Sequence, residues 1–72
     1  MQEQVKIKKI ELGKELASLR KQAGVTNYRS KITTQTANQV IVSVEDATKA
    51  YTIDTLLKLL FEIKKTIKIV DL

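Results

Sequence analysis

Leu12, Leu16, Leu19 and Ala23 stand at i, i+4, i+7 and i+11, and Gly24 follows them. Apolar residues at that spacing share one face of an α-helix, and a glycine just past the last of them supplies the left-handed residue on which helices commonly end. The spacing predicts a helix over about residues 10 to 23, with Glu11, Lys14, Glu15 and Lys21 on its other sides. A one-sided helix must bury its stripe against something. A second helix is predicted over Thr52 to Lys64, where Thr52 can cap and Asp54 suits the positive end of the helix dipole. Its core stripe is Ile53, Leu56, Leu57, Leu60 and Ile63; Leu59 and Phe61 lie partly off it, so more than half the circumference is apolar. In a chain of 72 residues these two helices leave room for one domain, 1–72, which can bury roughly 60% of its unfolded surface.

The ends read differently. Val5-Lys6-Ile7-Lys8 alternates apolar and basic, so residues 1–9 are expected to form an arm or short strand ahead of a helical core at 10–64. The tail, 65–72, alternates again through Ile67, Lys68, Ile69 and Val70, which suits a strand against Val5 and Ile7 or against the tail of a second chain. Val5, Ile7, Ile67 and Ile69 are expected to cover the core. Lys8-Lys9 and Lys64-Lys65 are expected to be solvated. The middle supports two readings. By propensity, Ile32 to Thr36 and Gln39 to Val44 are β-rich runs with a turn at Ala37-Asn38. As a helix, the same segment pairs Ile41 with Val44 at i, i+3 and opens at Thr36 or Ala37.

Several function classes drop out on residue types alone. With no Cys and no His, there is no zinc finger, disulfide frame, thiol nucleophile or Ser-His-Asp triad. No pairing among the remaining Ser, Thr, Tyr, Lys and carboxylates suggests a reaction, so neither an enzyme nor a metal, cofactor or small-molecule substrate is expected. No uninterrupted apolar run exceeds the length of Leu59-Leu60-Phe61, far below the ~20 residues of a membrane span, and Met1 to Lys9 lacks the apolar core of an export signal. A cytoplasmic protein is expected. The net charge of +5 sits in residues 1–36, with eight Lys/Arg against three Glu; residues 37–72 carry five of each sign. A basic half suits a nucleic-acid partner, though it also serves solubility.

Residues 10 to 63 resemble the Cro/repressor helix-turn-helix family (the lambda-repressor type, or XRE family). The likeness is carried by Leu12-Gly13, Leu16, Leu19-Arg20 and Gly24-Val25-Thr26, and by the ungapped spacing from Thr26 to Glu45. Val44-Glu45-Asp46-Ala47 stands where the family has Ile-Glu-Asn-Gly, and Thr52 to Leu60 matches its fourth helix. The resemblance implies a mainly α fold, a small lambda-repressor-like bundle of four to five helices, to which the two alternating ends add short N- and C-terminal strands. It also implies a structural ion pair between Arg20 and Glu45. The chain departs from the pattern inside the motif. Ser30 and Lys31 replace an apolar residue and an alanine, Thr34 replaces an apolar residue, and Gln35 replaces the glycine of the turn. A buried lysine at 31 requires the helix to rotate or the side chain to snorkel, with Ile32 supplying the missing apolar contact.

What the resemblance implies for function is a sequence-specific transcriptional regulator, a repressor-type homodimer on double-stranded DNA. Thr36, Ala37, Asn38, Gln39 and Ser43 would meet base edges in the major groove. Asn38 and Gln39 can each bond adenine N6 and N7, and the Ala37 methyl can meet a thymine methyl. Thr26, Asn27 and Tyr28 would bond phosphates at the start of the second helix, and Arg29, Lys31 and Lys49 would add charge. The plainer reading is that Asn38 and Gln39 are polar surface and Tyr28 belongs to the core. A protein-interaction module, antitoxin-like or dimerising, that has lost DNA reading is the alternative expectation, motivated by Ser30, Lys31 and Val40-Ile41-Val42.

Overall fold

The computed structural model describes all of residues 1–72 and holds four helices: α1 (Gln2–Gln22), α2 (Asn27–Thr34), α3 (Asn38–Asp46) and α4 (Ile53–Glu62). There is no strand. The protein is a small, mainly α bundle. α1 packs chiefly on α3, and α2 packs on both α3 and α4. At 21 residues α1 is about 31 Å long by helical rise, which accounts for most of the 35 Å long axis of the molecule. The core holds Leu16, Val25, Ile41, Val44, Leu56, Leu59, Leu60 and Ile63, with Leu12, Leu19 and Tyr51 packed against it.

Both ends depart from the alternation in the sequence. Residues 2–9 are the first two turns of α1, not an arm or strand. Two apolar residues in a window of four cannot establish a period of two, and Gln2, Glu3, Gln4, Lys6, Lys8 and Lys9 are good helix formers. The tail is in neither helix nor strand, and beyond Lys65 no amide is hydrogen-bonded to the backbone. Val5, Ile7, Ile67 and Ile69 are all exposed and do not cover the core. In α4, Leu59 takes a core place while Ile53 lies outside it, exposed at the first turn; Phe61 is exposed as well.

The β-rich middle is helical. In a strand Ile41 and Val44 would point to opposite faces; in a helix they share one, and both are 0% exposed. Full burial of each is worth about 1.5–3 kcal/mol. That exceeds the roughly 0.5 kcal/mol per residue by which Val and Ile disfavour a helix. Threonines are accommodated locally, as where Thr34 Oγ1 donates to the Ser30 carbonyl at 2.6 Å. In α2 the buried face is Ser30 and Thr34, at i, i+4, while Lys31 and Ile32 are exposed. Lys31 therefore needs no snorkelling and Ile32 fills no gap, because the face turned inward is polar. Its hydroxyls are satisfied: Ser30 Oγ donates to the Glu62 carboxylate, tying α2 to α4.

Helix ends fix the geometry between elements. After α1, the Val25 amide donates to the Arg20 carbonyl and the Gly24 amide to Lys21, with Gly24 at φ +73°, a Schellman ending. The same pattern closes α3 on Ala47 (φ 55°) and α4 on Lys64 (φ 60°). Thr26 and Thr52 cap α2 and α4, their hydroxyls accepting from the Arg29 and Thr55 amides at 3.1 and 3.2 Å.

Candidate nucleic-acid interface

Three residues join α2 to α3: Gln35, Thr36 and Ala37. Gln35 adopts the left-handed conformation (φ 54°, ψ 37°) that a glycine would take more cheaply. Thr36 turns inward and its hydroxyl donates to the Thr34 carbonyl at 3.3 Å. Ala37 precedes α3 with no side-chain acceptor for the helix amides. The amides of Asn38 and Gln39 therefore have no partner in the chain. Both side chains are exposed, as is Ala37. One helical turn further, Ile41 and Val44 anchor the opposite side of α3 in the core.

α3 is fixed against α1 by an ion pair and a close backbone approach. Arg20 Nε and Nη2 donate to the two Glu45 carboxylate oxygens at 2.7 and 3.1 Å, and Nη1 donates to the Val25 carbonyl at 2.7 Å. Both side chains are about nine-tenths buried. The pairing expected between Arg20 and Glu45 is thus present. It joins the end of α1, the α1–α2 loop just before the Thr26 cap and the last turn of α3 with one guanidinium. Gly13 lies against the same turn of α3, within a methyl group's reach of the Val44 and Glu45 carbonyls.

The residues expected to meet DNA do not all lie at the surface. Thr26, Tyr28, Arg29, Ala37, Asn38, Gln39 and Lys49 are exposed, as is Lys31. Tyr28 is accordingly not a core residue. Thr36 is buried and bonded within the turn, so it is withdrawn from the base-contacting set. Asn27 is half-buried, and its Oδ1 is buried without a partner. Ser43 is half-buried and its hydroxyl donates to the Gln39 carbonyl at 2.8 Å. Of the residues expected to meet base edges, Ala37, Asn38 and Gln39 are exposed, and Asn38 and Gln39 are adjacent carboxamides whose own amides lack a partner.

Lys9, assigned to a solvated run, is only half-exposed. Its ammonium donates to the Lys49 carbonyl at 3.4 Å and stands 5.0 Å above the Tyr51 ring. Burial raises the Tyr51 phenol pKa above its ordinary value of 10.0. Only the knowledge that α1 begins at Gln2 would have revealed this contact, since it puts Lys9 one turn before Gly13, the residue that abuts α3.

No helix is long and apolar enough to cross a membrane. No family model matches the chain, and no curated protein or solved structure matches it either.

Proposed function

We propose that this chain is a sequence-specific double-stranded DNA-binding regulator, a cytoplasmic homodimer that reads base edges with the start of α3. The observation that carries the reading is the exposed Asn38-Gln39 pair with its unpartnered amides, on a helix whose other side is locked in the core. Two adjacent carboxamides can satisfy the donor and acceptor pattern that adenine presents in the major groove. Exposed Arg29, Lys31 and Lys49 lie in α2 and just beyond α3, where their charge supports phosphate contacts. Neither side of this reading needs a metal, a cofactor or a catalytic group.

Selection from a random duplex pool tests it. A two-fold motif with half-sites about 34–36 Å apart is expected of a dimer. Asn38→Ala with Gln39→Ala should lose discrimination between the selected site and a mismatched one by about 10- to 100-fold for each bidentate contact removed, with weak general binding kept. A pool that enriches no sequence, or a double variant that discriminates as well as the parent, would overturn the assignment. A second reading rests on the exposed apolar residues Ile32, Phe61 and Ile69: a protein-interaction module that reads no DNA. In that case binding to duplex would be weak and indifferent to sequence.

A further inference from the structure

We infer that Lys6 and Lys9, together with Lys49, form a second phosphate-binding surface at the C-terminal end of α3, reached by the first turns of α1. The inference rests on the DNA-binding reading above and extends it to a part of the chain outside the α2–α3 unit. Lys6 and Lys9 lie one turn apart on α1, with Gln2 and Val5, around a depression closed by Ala47. Lys9 reaches across to the Lys49 carbonyl, which brings α1 up to the loop that leaves α3.

Three observations point to a polyanion. First, the cations are not neutralised within the chain. The protein has two ion pairs, Lys8–Glu11 and Arg20–Glu45, and neither involves these three lysines. Of the two carboxylates that end α3, Glu45 is committed to Arg20 and Asp46 pairs with nothing. Second, Lys9 is held in place. A carbonyl and an aromatic face restrict its ammonium while leaving the charge whole, which lowers the ordering cost of a later contact. Third, the dimensions fit. α3 has nine residues, so its ends are about 13 Å apart, close to the ~12 Å width of the major groove. With its first residues at base edges, its far end lies at a wall of the groove, where the phosphates run.

Salt dependence of binding to the selected duplex tests this, because each phosphate contact contributes about 0.9 to the slope of log K against log salt. Lys6→Gln with Lys9→Gln should flatten the slope by about 1.8, so that the loss against the parent is about tenfold larger at 50 mM than at 200 mM salt. Sequence preference should be unchanged. Lys65→Gln with Lys68→Gln removes the same charge from the tail, which lies along a different side of α1, and should leave the slope within about 0.5 of the parent. Lys6→Arg with Lys9→Arg should restore the parental slope and separates charge from any loss of folding. A parental slope in the Gln variant, or equal flattening by the tail variant, would overturn this inference alone. Failure of the parent to bind any duplex would overturn it together with the reading it rests on.

Discussion

Gly13→Ala sets two well-measured effects against each other. Gly13 is inside α1, where alanine is favoured over glycine by about 1 kcal/mol, so helix propensity alone makes the variant more stable. Packing opposes this. A Cβ built at Gly13 lies 2.7 Å from the Val44 carbonyl oxygen and 2.9 Å from the Glu45 carbonyl carbon, and closer still to the Glu45 oxygen. All three are backbone atoms in the last turn of α3 and cannot rotate aside. Ordinary contact requires α1 and α3 to separate by about 0.7–1 Å, and a gap of that size forfeits a quarter to a half of the dispersion energy of the atoms it parts. Separation also pulls on the Arg20–Glu45 pair, whose 2.7 Å Nε–Oε2 bond joins the same two helices. Overpacking costs typically 1–3 kcal/mol, and with backbone on the receiving side the upper end applies. The expected net effect is a loss of about 2 kcal/mol, or a fall in Tm of roughly 8–16 °C for a domain of this size, followed by circular dichroism. Gly24→Ala is the comparison. It has no atom within 4 Å but sits at φ +73°, so it should lose only the left-handed strain of about 1–2 kcal/mol. A Gly13→Ala variant that melts at or above the parent would refute the close approach of α1 to α3.

Two further outcomes follow from charged and titrating groups. Arg20→Ala strands the Glu45 carboxylate in a site about nine-tenths buried and should cost about 3–5 kcal/mol, whereas Arg20→Met combined with Glu45→Leu should unfold in urea within about 1 kcal/mol of the parent; equal losses in both would show that the pair itself stabilises the fold. For Tyr51, burial favours the neutral phenol, so its contribution to stability is complete below pH 10.0, the unfolded value, and is lost as pH rises through the higher folded value. Tyr51→Phe has no such proton to lose. The stability difference between parent and variant, measured by denaturation across pH 8 to 11.5, should shift against the parent above about pH 10 and stay flat below it.

How far the sequence disclosed this structure depended on whether a segment's signal was local. Leu12, Leu16, Leu19 and Gly24 define the end of α1, and Thr52 with Leu56, Leu60 and Ile63 defines α4, because each signal repeats over several turns and carries its own cap or stop. The start of α1 is not legible from periodicity, because Val5 and Ile7 are the only apolar residues in 2–9, stand two apart as in a strand, and are both exposed on the helix. Ser30 was unreadable for a different reason. A serine is a poor core residue until a carboxylate on another helix meets it, and Glu62 is 32 residues away in the chain.

The candidate interface follows from the same division. Once α3 spends Ile41 and Val44 on the core and Glu45 on Arg20, the groups that remain free are the ones the fold cannot use. Thr36 shows that sequence position alone does not select them: it precedes Ala37 by one residue, yet the left-handed Gln35 turns its side chain inward. Gln35 therefore matters twice, first by ending α2 in place of a glycine, and then by sorting the next residues into one that is buried and three that are exposed. Replacing it with a residue that resists positive φ would shift Asn38 and Gln39 together while leaving α1 and α4 intact, because the turn is the only covalent link between α2 and the exposed end of α3.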